Sequence, residues 1–207
     1  MRRALAALAA AAAAWAGAAP AQQAAPEAPA PRATLEAAGA ETLFPDSFGG
    51  PYRLVDHHGR TRTEADPDGR VQLIFFGYAR CEAICTVALP IMSEMTAALA
   101  REGIAVTPLV ITVDPEADTV EAMGPALAAH APGLLGLTGS EAALAEARAA
   151  FHVRAELLFV DPQGTPVYSH GSHIFVVDGD GGFLTLLPPV LSVERMVEIV
   201  RGYAAAG

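Results

Sequence analysis

Apolar residues in this chain fall into two kinds of pattern, unbroken runs and spaced repeats, and the change between them marks out the elements. Val71–Phe76 (VQLIFF) and Ile104–Val113 (IAVTPLVITV) are nearly continuous apolar runs, which predict strands buried on both faces. YRLVDHHGR, from Tyr52, predicts a short strand ending in a His-Gly turn, and ADPDGR predicts a second turn. After the cysteines a helix should run to about Ala100. Pro90 falls in its early part, where the missing N–H costs the bond to Thr86 and predicts a kink. TVEAMGPALAAH predicts a helix interrupted at Gly124-Pro125, and GLLGLTG a short strand. Ser140 should cap the amphipathic helix EAALAEARAAF. ELLFV, TPVYSH, HIFVV and FLTLL then read as short strands, with turns at DPQG and DGDGG. A last helix should run from Ser192 to about Tyr203.

No internal repeat is visible. Strands alternating with helices imply a partly parallel sheet with crossover helices, and the late hairpins add antiparallel strands. The expected class is α/β: a thioredoxin-like fold with a central mixed β-sheet flanked by helices and a C-terminal β-hairpin region. In that plan the loop between a buried strand and the next helix is the natural place for a reactive motif.

The first residues change the picture of where this domain works. Arg2 and Arg3 precede an uncharged, alanine-rich stretch ending in Ala19-Pro20-Ala21, the layout of a secretory signal over residues 1–21. The rival is an uncleaved membrane anchor, although alanine is only weakly apolar for a span. Residues 22–43 are rich in Ala and Pro and read as a flexible tether. The folded domain is expected over residues 44–207. Either reading of the leader exports it, to the periplasm or the outer face of the cytoplasmic membrane.

Composition then removes whole classes of function. The 207 residues suffice for one domain with a full core. All 13 basic residues are arginine, so Schiff-base and P-loop lysine chemistry is excluded. The net charge of −10, with no basic block beyond Arg2 and Arg3, argues against nucleic acid as a partner.

The two cysteines, Cys81 and Cys85, stand in GYARCEAICTVALP directly after the first buried strand. A disulfide there would close a very small loop and stabilise little, so a structural staple is a poor use of them. On a helical turn, i and i+4 side chains share a face, and a helix N-terminus favours thiolate. Two adjacent thiolates make either a redox couple or a clamp for a soft metal. With an added imidazole the site would accept Cu(I), Cu(II) or zinc. Of the histidines, His57 and His58 belong to a polar turn and should be solvated, and His130 and His152 sit at helix ends. His170 and His173, in YSHGSHIFVV, are the candidates for a third ligand; their strand setting allows one of them, not both.

Several segments together resemble the Sco/SenC family of exported copper-binding proteins. FFGYARCEAICTVAL resembles the family's strand and C-x-x-x-C motif. ITVDPEADT resembles its V-D-P-x-x-D-T stretch, GLTGS its segment before the next helix, and YSHGSHIFVVDGDGGF its histidine-bearing hairpin. The likeness runs in order from about Phe48 to Phe183. Counting back from Asp178 and from Phe183 at the family's intervals lands on His170 both times. Two departures stand out: Glu82 and Thr86 replace the prolines that follow the cysteines, and Ser169 replaces the aspartate before the histidine. Asp114 and Asp118 fit either turn chemistry or support of the ligands.

The resemblance implies a thioredoxin-fold metallochaperone that helps assemble the dinuclear copper centre of cytochrome c oxidase. Cys81, Cys85 and His170 would hold one copper. The implied partner is the copper-receiving oxidase subunit or another periplasmic copper carrier. The alternative is a thiol–disulfide oxidoreductase, with Cys81 and Cys85 catalytic, that keeps a partner's copper-ligand cysteines reduced. A peroxidase of the same fold is a third reading.

Overall fold

The structure, a computed structural model, describes residues 48–81 and 85–205. The leader and the tether predicted above lie outside the described residues. Nine strands and four helices follow one another among them. The strands are β1 (Arg53–Asp56), β2 (Thr61–Thr63), β3 (Val71–Gly77), β4 (Val106–Thr112), β5 (Leu135–Thr138), β6 (Glu156–Val160), β7 (Pro166–Ser169), β8 (Ile174–Val177) and β9 (Phe183–Leu187). The helices are α1 (Cys85–Arg101), α2 (Val120–His130), α3 (Glu141–Ala150) and α4 (Val193–Ala204).

Seven strands form one mixed sheet in the order β2-β1-β5-β4-β3-β8-β9. The two continuous apolar runs, β3 and β4, pair in parallel at its centre, and β4 pairs in parallel with β5. The β8–β9 hairpin adds to β3 antiparallel, and β1 adds to β5 antiparallel. Helix α1 crosses over β3 and β4 and packs beside α4; α2 lies against β5 and α3 against β1. The α/β class with a mixed sheet flanked by helices is as the patterning predicted. No helix among the described residues is long and apolar enough to cross a membrane.

One turn device recurs four times, at Asp56-x-x-Gly59, Asp66-x-x-Gly69, Asp161-x-x-Gly164 and Asp178-x-x-Gly181. In each, the aspartate Oδ1 accepts the N–H groups two and four residues on, and its carbonyl accepts the glycine N–H. The glycines have φ of 80°, 66°, 84° and 90°, a left-handed conformation that costs glycine nothing. The first of these turns adds β2, a partner for β1 that the sequence pattern had not separated out.

Two expectations change. Helix α2 is not interrupted at Gly124-Pro125. Gly124 has no Cβ to clash with the Pro125 ring, and the carbonyl that loses its bond is that of solvent-exposed Glu121. Thr119 caps this helix, accepting from the Ala122 N–H. Helix α1 likewise runs unbroken through Pro90, which faces solvent. The hairpin region also divides: β8 and β9 join the central sheet, whereas β6 and β7 make a separate two-stranded sheet.

Candidate metal centre

Strand β3 brings the chain to the site, and its two-residue period sorts the side chains. Phe76 joins a cluster of rings, 5.5 Å from Phe151 and 5.9 Å from Phe175. Phe75 and Gly77 share the opposite face, towards the cysteines. A Cβ on Gly77 would lie 2.7 Å from the Phe75 ring and 3.1 Å from Cys85 Sγ, so only glycine lets the thiol lie against the strand end. Past Gly77 the chain turns, with Cys81 N–H donating to Tyr78 O at 3.2 Å. Helix α1 starts at Cys85.

Cys81 is not itself helical, and residues 82–84, which join it to Cys85, lie outside the described residues. Their thiols meet all the same, and neither is in a disulfide. Cys81 is 7% exposed and Cys85 1%. The expected thiolate at the helix start is corrected as well. The hydrogen bond with Cys81, and burial after it, push the Cys85 thiol well up, so it keeps its proton. Burial, followed by the neighbouring Cys81, pushes Tyr78 up to about 12.

His170 arrives from the end of β7. Its Nε2 lies 3.8 Å from Cys81 Sγ and 3.5 Å from Cys85 Sγ, and the three atoms lie within 4.8 Å of one another. Its Nδ1 is 3.0 Å from the Gly171 carbonyl, which can only accept. The proton therefore sits on Nδ1, and the Nε2 lone pair faces the sulfurs. The Phe75 and Tyr78 rings stand nearly perpendicular to the imidazole, at 5.6 and 5.8 Å. With metal–sulfur and metal–nitrogen bonds of about 2.3 and 2.0 Å at trigonal angles, sulfur and nitrogen would stand about 3.7 Å apart. The observed separations bracket that value, so the donor set fits a three-coordinate thiophilic metal. A cavity of about 320 Å³ opens beside the thiols, lined by Ala79, Arg80, Cys81, Cys85, Thr86 and Leu89 among others.

The remaining histidines fall elsewhere. His173 is exposed just ahead of β8 and lies outside this group. His58 is exposed, as expected of a polar turn. His57 is half-buried: its Nδ1 accepts the Gly136 N–H at 3.0 Å and its ring packs on Gly124, and burial, then His58, lowers its pKa. His152 holds a φ of 53° and packs edge-on against Phe48. Of the two departures, Ser169 serves the hairpin, donating to Glu156 O at 3.4 Å, and Glu82 lies outside the described residues.

The family profile described as SCO1/SenC matches residues 40–205. The chain belongs to the SCO1/SenC family. It is 35% identical over 159 residues to the mitochondrial SCO2 homologue of Bos taurus, covering 76% of this chain and 60% of the relative. It thus spans about three fifths of that protein's length. A SCO2-like protein of Rickettsia conorii is 29% identical over 167 residues, covering 79% of this chain and 82% of the relative. Among solved structures, copper-bound ScoI of Bradyrhizobium japonicum superposes with a TM-score of 0.68 at 30% identity, over 76% of this chain and 99% of that one. Copper-bound yeast Sco1 gives 0.70 at 26% identity, over 78% and 90%. These SCO1/SenC neighbours share the thioredoxin-like architecture that the alternation of elements implied.

Residue patterns alone did not single out Gly77, Phe75 or Tyr78 as parts of the site. A glycine closing an apolar strand was the one available signal, since it marks a close approach. The aromatics looked like ordinary core.

Proposed function

We propose that this protein is an exported copper carrier that serves the assembly of the dinuclear copper centre of cytochrome c oxidase. Cys81 and Cys85 supply two thiolates, and His170 supplies the imidazole. The observation that carries this reading is the convergence of Nε2 and two sulfurs with the imidazole proton held on the far nitrogen. The copper-bound relatives support it. A leader over residues 1–21 and a tether over 22–43 would place the domain in the periplasm or at the outer face of the membrane.

Copper is the cargo, so the site must both hold and release it. Binding requires both thiols to lose their protons, and affinity therefore falls in acid. Two sulfurs suit Cu(I), and the imidazole extends the set to Cu(II). The cavity beside Cys81 and Cys85 lets a receiving protein's donor approach from outside. Release then proceeds by exchange, each incoming thiolate displacing one donor of this chain. The partner we infer is the copper-receiving oxidase subunit or another periplasmic carrier.

Titrating the reduced protein with Cu(I) against a competing chelator tests the reading. One equivalent should bind, and Cys81→Ser should lose it. Cu(II) should give a thiolate charge-transfer band that His170→Ala abolishes and His173→Ala leaves intact. Absence of tight binding by either ion would overturn the carrier reading.

The mutual contact of the two thiols favours a second reading, a thiol–disulfide oxidoreductase. Cys81, the more accessible, would attack a partner disulfide and release one partner thiolate. Cys85 would then attack the Cys81 sulfur, freeing the second partner thiolate and leaving a Cys81–Cys85 disulfide. Turnover of a disulfide substrate without tight copper binding would favour this reading over the first.

A further inference from the structure

The arm that brings His170 to the site is built apart from the central sheet. β6 and β7 form their own two-stranded sheet, and every residue of β6 is exposed. Among the described residues, Tyr168 is the one hydrophobic side chain of β6 and β7 that packs against the core. Its ring lies 5.6 Å from that of Tyr78, at an interplanar angle of 77°. His170 stands two positions further on, and an extended chain sends alternate side chains to one side. The imidazole reaches the same Tyr78 ring, at 5.8 Å and 83°. Edge-to-face pairs at such distances are favourable beyond the area they bury.

Tyr78 is fixed from the other side. It is 3% exposed and follows Gly77, whose carbonyl accepts the Val113 N–H at 2.9 Å. The next residue, Ala79, donates its N–H to Asp118 Oδ2 at 2.9 Å, and the Tyr78 carbonyl accepts the Cys81 N–H at 3.2 Å. One ring at the start of the thiol-bearing turn thus carries two contacts from the imidazole-bearing arm.

We propose that Tyr78 and Tyr168 form an aromatic pin that seats the arm on the thiol-bearing turn, and that this pin sets which copper ion the site retains. Both are positioning residues. With the arm seated, the site has three donors. With the arm lifted, it loses only the imidazole and keeps two sulfurs. Two thiolates suit Cu(I), and imidazole is the donor that suits Cu(II). The inference rests on the metal-binding reading of the site. It adds that a ring pair outside the donor set biases that site towards Cu(II).

The test uses the full chain as wild type, Tyr168→Ala, Tyr168→Phe and, as a control elsewhere on the arm, Phe159→Ala. NOEs from the His170 imidazole to the Phe75 and Tyr78 rings are recorded in the metal-free, reduced protein. Cu(I) and Cu(II) affinities are measured on the same proteins, with the Cu(II) visible and EPR spectra. Tyr168→Ala should lose those NOEs and change the Cu(II) spectrum. It should weaken Cu(II) by roughly 10–100-fold, as for other groups that orient metal ligands, while Cu(I) stays within about threefold. Tyr168→Phe keeps the ring and Phe159→Ala keeps the pin, so both should match wild type within about twofold. Retained NOEs, unchanged Cu(II) affinity or equal weakening of the two ions in Tyr168→Ala would overturn the pin. So would a loss in Tyr168→Phe or Phe159→Ala as large as that in Tyr168→Ala. If Tyr168→Ala does not fold, Tyr168→Leu, which keeps bulk without the ring, carries the same test. Should wild type bind no copper, the carrier reading fails, and the imidazole NOEs still decide whether the ring pair seats the arm.

Discussion

Two hairpins follow one another in the last third of the chain, built from similar residues and treated in opposite ways. β6 reads ELLFV and β8 reads IFVV; every residue of β6 is exposed and every residue of β8 is buried. Leu157, Leu158, Phe159 and Val160 are 54–59% exposed, although each would suit a core. Neighbours decide this, not composition. β8 lies between β3 and β9 in the central sheet, whereas β6 has only β7 beside it. One hairpin is part of the core. The other is an arm that lends the site its imidazole and packs its Tyr168 ring 5.6 Å from that of Tyr78.

The sharpest way to break this contrast is to cut the same residue type from each hairpin. Phe175, in β8, contacts the rings of Phe48, Phe76 and Phe151. Phe175→Ala should cost about 3–5 kcal/mol in urea denaturation of the reduced protein. Phe159→Ala, in β6, should stay within about 0.5 kcal/mol. Equal losses would mean that the arm is as much a part of the cooperative core as β8.

A turn within the central sheet and the turn of the arm should differ in the same sense, by less. Asp56, fully buried at the β1–β2 turn, accepts from the His58 and Arg60 N–H groups and from the Arg62 guanidinium, each at 2.9 Å. Asp56→Ala should cost about 1–3 kcal/mol, because it leaves those donors without their acceptor. Asp161→Ala, at the turn of the arm, should cost about 0.5 kcal/mol on the same urea scale. A larger loss at Asp161 would reverse the ranking.

The smallest expected effect is on the acid limb. Burial alone would raise the Asp56 carboxyl, but the hydrogen bonds from Arg60, Arg62 and His58 outweigh it and hold the group below its ordinary 3.8. The unfolded chain then binds the proton more readily. The stability Asp56 adds is present in full above the ordinary carboxylate range and is lost as pH falls through the lowered native value. Asp56→Asn should flatten the fall of Tm below about pH 4, and an unchanged slope would assign that fall to other carboxylates.

Much of this was legible along the chain. The D-x-x-G turns, the two buried strands and the Ser140 cap all depend on contacts within a few residues. So does the C-x-x-x-C spacing, whereas the choice of His170 over His173 came from the resemblance to the family, by counting back from Asp178 and Phe183 at its intervals. What local pattern could not convey was the packing of His57 against Gly124 and Gly136 and the separation of β6–β7 from the sheet. Each turns on a residue distant in sequence.

The sequence by itself determined which elements form and which side chains carry the chemistry, because backbone propensity, turn residues and donor types are local properties. Tertiary structure alone decided that Nε2 of His170 meets two sulfurs from a segment almost ninety positions earlier, as seen in the 85- and 89-residue separations of those contacts. It also decided that Gly77 makes room for Cys85. Those outcomes depend on which surfaces are packed together, and no stretch of chain contains that information about its distant neighbours.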